Sequence, residues 1–231
     1  TVMIISIVLG ILSLSALFFD HYFLIAGNNG LSVFFKGTAS ACFVILAVYS
    51  LIRCKQKSET FKKFAVFCMA GITISFIADI VIELNFVIGF CLFVSAQTFY
   101  FLSFSHYRKY SRNFFIGAGI LFFSILLFDF HCPFFDFGDL KIPVVVYILA
   151  LSCVVIKSFD SFRWKAVQAK TMPVGIALFA LSDFMLQFYV FPSGLIPEKT
   201  AYIIAVVSNV FYYVGQLLVA FSLSKDFIAK K

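Results

Sequence analysis

Residues 64–82 read FAVFCMAGITISFIADIVI and residues 172–191 read MPVGIALFALSDFMLQFYVF. Each run is about long enough to cross a ~30 Å hydrocarbon core as a helix. Each also carries a carboxylate, Asp79 or Asp183, preceded by a small residue (Ala78, Ser182) and followed four residues later by a carboxylate or its amide counterpart (Glu83, Gln187). Residues four apart share a helix face. An Asp at the centre of a membrane helix costs roughly 2.5–3.5 kcal/mol on insertion scales, so it faces a partner or a wet cavity rather than lipid. The two acids together point to a functional site drawn from both halves of the chain.

Composition sets the class. Of 231 residues, 62% are hydrophobic, 34 are Phe and only 13% are charged, with a mean hydropathy of +1.04. These values exclude an ordinary soluble domain. Membrane-length runs fall near 2–19, 31–52, 64–82, 86–105, 113–130, 140–158, 172–191 and 202–222. The expected fold is all-α: a polytopic bundle of eight transmembrane helices forming a single domain over residues 1–231.

The charges give an orientation. Segments 53–63, 106–112 and 157–171 and the tail after Ser224 hold 15 of the 18 Lys and Arg residues, and they alternate with neutral or acidic connections. The positive-inside rule then places both termini in the cytoplasm, in a bacterial inner membrane or, in a eukaryote, the endoplasmic reticulum. The net charge of +7 reports this orientation and contact with anionic lipid, not nucleic-acid binding. The first apolar run reads as a retained helix rather than a cleaved signal. The six cysteines are scattered and imply no disulfide framework.

The two halves resemble each other. Lys36 and Lys141 are 105 positions apart and Asp79 and Asp183 are 104 apart, while Ala96-Gln97 in the fourth run parallels Gly215-Gln216 in the eighth. A parallel duplication of a four-helix unit accounts for this spacing. At 1.5 Å per residue, Asp79 lies roughly 22 Å beyond Phe64 and Asp183 roughly 16 Å beyond Met172. Lys36, Glu83, Gln97, Asn209, Tyr212, Tyr213 and Gln216 fall in a similar band of depth, so one cavity lined by all of them is expected.

At these residues the chain resembles the YhhN family of eight-helix membrane lysoplasmalogenases. The positions that carry the resemblance are Lys36-Gly37, Ala78-Asp79, Gln97-Thr98-Phe99-Tyr100, Ser182-Asp183 and Tyr212-Tyr213-Val214-Gly215-Gln216. Three depart from the usual pattern: Gly37 stands for Pro, Ala78 for Gly and Gln97 for His. Gln97 cannot act as a general acid or base. The resemblance implies hydrolysis of the vinyl ether of lysoplasmalogens to a fatty aldehyde and a glycerophospho-ethanolamine or -choline, without a cofactor. Asp79 and Asp183 would be the catalytic carboxylates, Asp183 as the acid and Asp79 as an ionised partner near Lys36. Lys36, Glu83, Gln97, Tyr100, Asn209, Tyr212, Tyr213 and Gln216 would bind the lysophospholipid. Headgroup preference and oligomeric state are not legible in the chain.

Bland readings compete at each position. Asp79 with Lys36 is also what a packing ion pair looks like, and Asp183 with Asn209 or Tyr212 what interhelical hydrogen bonding looks like. Glu83 and Asn85 suit the turn between the third and fourth helices. No histidine among His21, His106 and His131 is placed to build a buried zinc site or a Ser/His/Asp triad. Asp129, His131, Cys132, Asp136 and Asp139 read as an outer loop with at most adventitious metal ligands. A small proton-coupled transporter is the rival class, because paired carboxylates in a polar band also suit a proton relay.

Overall fold

In a computed structural model, which describes residues 2–55, 57–106, 109–163 and 166–228, the runs become α1 (Val2–Ile25), α2 (Asn29–Arg53), α3 (Glu59–Leu84), α4 (Phe86–Ser105), α5 (Arg112–His131), α6 (Lys141–Ser158), α7 (Val167–Val190) and α8 (Glu198–Ser222). Among the described residues, each of these eight is long and apolar enough to span a membrane. The protein is therefore an integral, multi-pass membrane protein. Of the flanking charges used for orientation, Arg108, Lys165, Lys230 and Lys231 lie outside the described residues.

Local chemistry sets the ends. The side chains of Asn28, Ser58, Asn85 and Ser111 accept hydrogen bonds from Leu31, Phe61, Ile88 and Phe114 backbone amides, capping α2, α3, α4 and α5. Several helices outrun their apolar segments. α1 continues six residues past the expected end because Asp20, which looks like a terminal polar residue, is buried and accepts a 2.5 Å bond from Ser32 Oγ on α2. Lys157, expected as an exposed flanking charge, is likewise fully buried, bonded to Asp160 and covered by the Tyr110 ring. Cys54, expected in a cytoplasmic connection, is buried too.

Neighbours in sequence pack as pairs, with α1 on α2, α3 on α4, α5 on α6 and α7 on α8. The halves are joined by α1 and α2 against α8 and by α4 against α6; the α2–α8 and α4–α6 contacts exchange when the two four-helix units are swapped, whereas the α1–α8 contact has no comparable counterpart of α5 on α4. The correspondence stops at Lys141, which is exposed at the start of α6 whereas Lys36 is half-buried in the bundle. Backbone meets backbone within α7–α8 at Gly175 and Gly215 and within α3–α4 at Gly89 against Ile82, as small residues allow in membrane helix pairs.

At the end of the bundle away from the basic segments, the α5–α6 and α7–α8 connections join. Asp136 N donates to Phe191 O (3.0 Å) and Ser193 N to Phe134 O (3.1 Å). Phe137 and Phe86 pack on Phe191 beneath this strap. It roofs the α4, α6 and α7 side of the interior.

Candidate functional site

α3, with its acid, and α7, with its own, flank a cavity of about 110 Å³. Asp79 and Asp183 both line it, with Lys36 from α2, Phe90 from α4, Tyr147 from α6 and Tyr212 from α8 among the other walls. The acids are held differently. Asp79 Oδ2 accepts from Ser40 Oγ (2.5 Å) and from Tyr212 OH (2.9 Å). Asp183 Oδ2 accepts from Tyr147 OH alone. Among the described residues, Oδ1 of each acid makes no hydrogen bond within the protein. Each carboxylate is therefore fixed through one oxygen and free to act through the other.

Two expected partnerships are redrawn. Lys36 Nζ pairs with Glu83, not Asp79, because α2 meets α3 near the far end, one helical turn beyond Asp79. Asp183 bonds Tyr147, not Asn209 or Tyr212; Tyr212 spans to Asp79 instead. Ser40 also sits 3.1 Å from Tyr213 OH, so Ser40, Asp79, Tyr212 and Tyr213 form a connected polar group between α2, α3 and α8.

Of the predicted binding residues, Lys36, Asn209, Tyr212 and Tyr213 line the cavity. Glu83 does not line it and instead pairs with Lys36, which does. Gln97, Tyr100 and Gln216 do not line it, which corrects the expectation of one cavity for all. They are buried deeper in the bundle, where Tyr100 OH donates to Gln216 Oε1 (2.7 Å) and the Tyr100 ring fills the space left by the missing side chain of Gly71. Gln97 approaches the Tyr147 hydroxyl, but neither atom of its amide has a hydrogen-bond partner. Equal depth did not mean equal facing.

Sequence reasoning missed Tyr147, Ser40 and the cluster at the far end. A tyrosine in an apolar run reads as belt or core, so only the acid opposite it could have marked Tyr147. His21 belongs to α1, where its ring nitrogens lie 3.3 Å from Tyr202 OH and from Asn209 Nδ2. Asp129 is also no loop residue: it lies within α5, buried beside Gln187. Among the described residues no three His, Cys, Asp or Glu side chains converge as a metal site.

The family model described as the YhhN family matches residues 31–223. The chain belongs to the YhhN family. The match begins within α2 and ends just beyond α8, so it takes in every residue that lines the cavity. No curated protein and no solved structure matches the chain. Within this YhhN protein the Ala78-Asp79, Ser182-Asp183 and Tyr212-Tyr213 segments meet at the cavity, while the Gln97-Tyr100 segment stands behind it.

Proposed function

We propose that this YhhN protein is a lysoplasmalogenase-type hydrolase that cleaves the vinyl ether of a lysophospholipid. The observation that carries this reading is the pair of unequal carboxylates on one apolar-walled cavity, Asp183 with one hydroxyl donor and Asp79 with two donors and Lys36 close by. Enol-ether hydrolysis needs a proton delivered to carbon and a water directed at the resulting cation, and two carboxylates in different protonation states divide those tasks.

In this mechanism Asp183, protonated at Oδ1, gives its proton to the vinyl carbon farther from oxygen, producing an oxocarbenium ion. Asp79, ionised, stabilises that cation and takes a proton from the water that adds to the oxygen-bearing carbon, forming a hemiacetal. Collapse breaks the bond to the glycerol oxygen, which receives the proton from Asp79. The hemiacetal hydroxyl returns its proton to Asp183 as the aldehyde forms. Both acids end as they began, and no cofactor is consumed. Lys36 supplies a cation for the headgroup phosphate at the mouth.

Charge alternation supports both termini in the cytoplasm. The test is aldehyde release from vinyl-ether lysophospholipids by the purified protein in lipid discs. No release from an ethanolamine or a choline lysoplasmalogen would overturn the hydrolase reading in favour of a proton-coupled carrier.

A further inference from the structure

A second cavity of about 230 Å³ lies between α5, α6 and α7. Leu121 and Ile125 from α5, Leu151 and Val155 from α6, and Ala177 and Ala180 from α7 form its apolar walls. Its polar groups are Tyr147, Asp183 and Gln187, and all three also line the cavity that holds Asp79. Asp183 and its tyrosine therefore stand in the partition between an apolar chamber and the cavity into which Asp79, Lys36 and Asn209 bring further polar groups.

We propose that the α5–α6–α7 chamber holds the hydrocarbon chain of the lipid whose polar end occupies the Asp79–Lys36 cavity. The inference rests on the hydrolase reading for the identity of the lipid. A vinyl ether is the junction of a long alkyl chain and a polar glycerophospho group, so the acid that protonates it must sit where the two environments meet. Asp183 does. From the acid, α7 runs roughly 9 Å to Ala177, and from Tyr147 α6 runs roughly 12 Å to Val155, so the chamber descends toward the basic end, away from Lys36 and Glu83. That is the course of a lipid chain leaving a headgroup at the far end.

The walls also suggest how the chain arrives. α5 packs along α6 and touches α7 near the far end, where the Phe128 and Phe184 rings lie 5.4 Å apart. Nearer the basic end the small side chains of Ala177 and Ala180 leave space between α5 and α7. With the strap of connections over the far end, a chain sliding in sideways between α5 and α7 needs no loop to open. A long apolar tail would also exchange bilayer for protein without crossing water.

The wild-type protein in lipid discs would be photolabelled with a saturated 1-alkyl lysophospholipid bearing a diazirine at mid-chain, which cannot be hydrolysed at a vinyl ether. Label on residues 121–125 and 177–181 is expected; label confined to the outer faces of α1, α2 or α3 would overturn the chamber. Independently, Ala177→Phe and Ala180→Phe would fill it. The ratio of kcat/KM for long-chain over short-chain vinyl-ether substrates should fall roughly tenfold or more, as for other changes in an apolar pocket. A ratio that stays near the wild-type value would refute the assignment. If the wild type cleaves no vinyl ether, the hydrolase reading fails and the photolabel pattern still decides where the chain binds.

Discussion

A Cβ atom placed on Gly175 would lie 2.6 Å from the carbonyl oxygen of Gly215, and one on Gly215 2.7 Å from the carbonyl oxygen of Gly175. Both obstacles are backbone, so neither can rotate aside. Gly215 is three residues from Tyr212, and Gly175 is two turns below Asp183. The contact thus sets the spacing between a tyrosine that holds one acid and the helix that carries the other. Gly175→Val or Gly215→Val should destabilise the bundle by about 1–3 kcal/mol or more, the range for overpacking. Thermal unfolding in detergent reads this, and aldehyde release should fall in the same variants even below the melting temperature.

Asp79→Asn and Asp183→Asn should each lower turnover by roughly 10² or more, the contribution attributed to positioned acid–base groups. Shape and most hydrogen bonding are kept, so the melting temperature should change little. Glu83→Gln, whose direct partner is Lys36 rather than either acid, should lose less. Near-normal turnover in both Asn variants would remove the carboxylate mechanism.

Tyr147→Phe leaves Asp183 without its hydroxyl donor, and Tyr212→Phe takes one of two from Asp79. A hydrogen bond to a charged group is worth about 1.5–3 kcal/mol, so the Tyr147 variant should lose kcat by an order of magnitude or more and the Tyr212 variant less. KM should stay nearly constant in both, because these hydroxyls position the acids rather than the lipid. Equal losses, or losses confined to KM, would show that the tyrosines bind substrate instead.

Orientation can be tested with introduced cysteines, since native Cys54 is buried and a poor target for labelling. Lys55→Cys and Leu195→Cys occupy exposed positions in connections at opposite ends of the bundle. A membrane-impermeant maleimide should reach Lys55→Cys only from the cytoplasmic side and Leu195→Cys only from the other. Labelling of both from one side would contradict the topology.

The eight helices and the two acids were legible because both signals survive averaging: a long apolar run is unmistakable, and a carboxylate inside it has few uses. Facing was not legible. α3 to α7 are apolar nearly all the way round, so no stripe tells which side of each helix looks inward. Lys36 could be assigned a depth but not a partner, and Gln97, Tyr100 and Gln216 shared a depth with the cavity without facing it. Asp20 failed the other way. Two polar residues, Asp20-His21, look like a helix end, whereas a Ser on the next helix lets the acid stay inside. Pairings between distant helices decide such cases, and a single chain does not reveal them.

The exchange that carries α2 onto α6 and α8 onto α4 maps one contact between the halves onto the other, but it is only approximate, since α1 packs on α8 and α5 has no comparable packing on α4. Two equivalent acids would share one titration and compete for one role. Side chains that the exchange does not reproduce add to the inequality of the two acids. Asp79 draws its donors from α2 and α8, while Asp183 draws its donor from α6. In the proposed mechanism, proton donor and proton acceptor are thus told apart in part by three hydroxyl groups, those of Ser40, Tyr147 and Tyr212. Relocating a hydroxyl, rather than moving a carboxylate, is then the smallest change that would reverse the direction in which protons travel through the site.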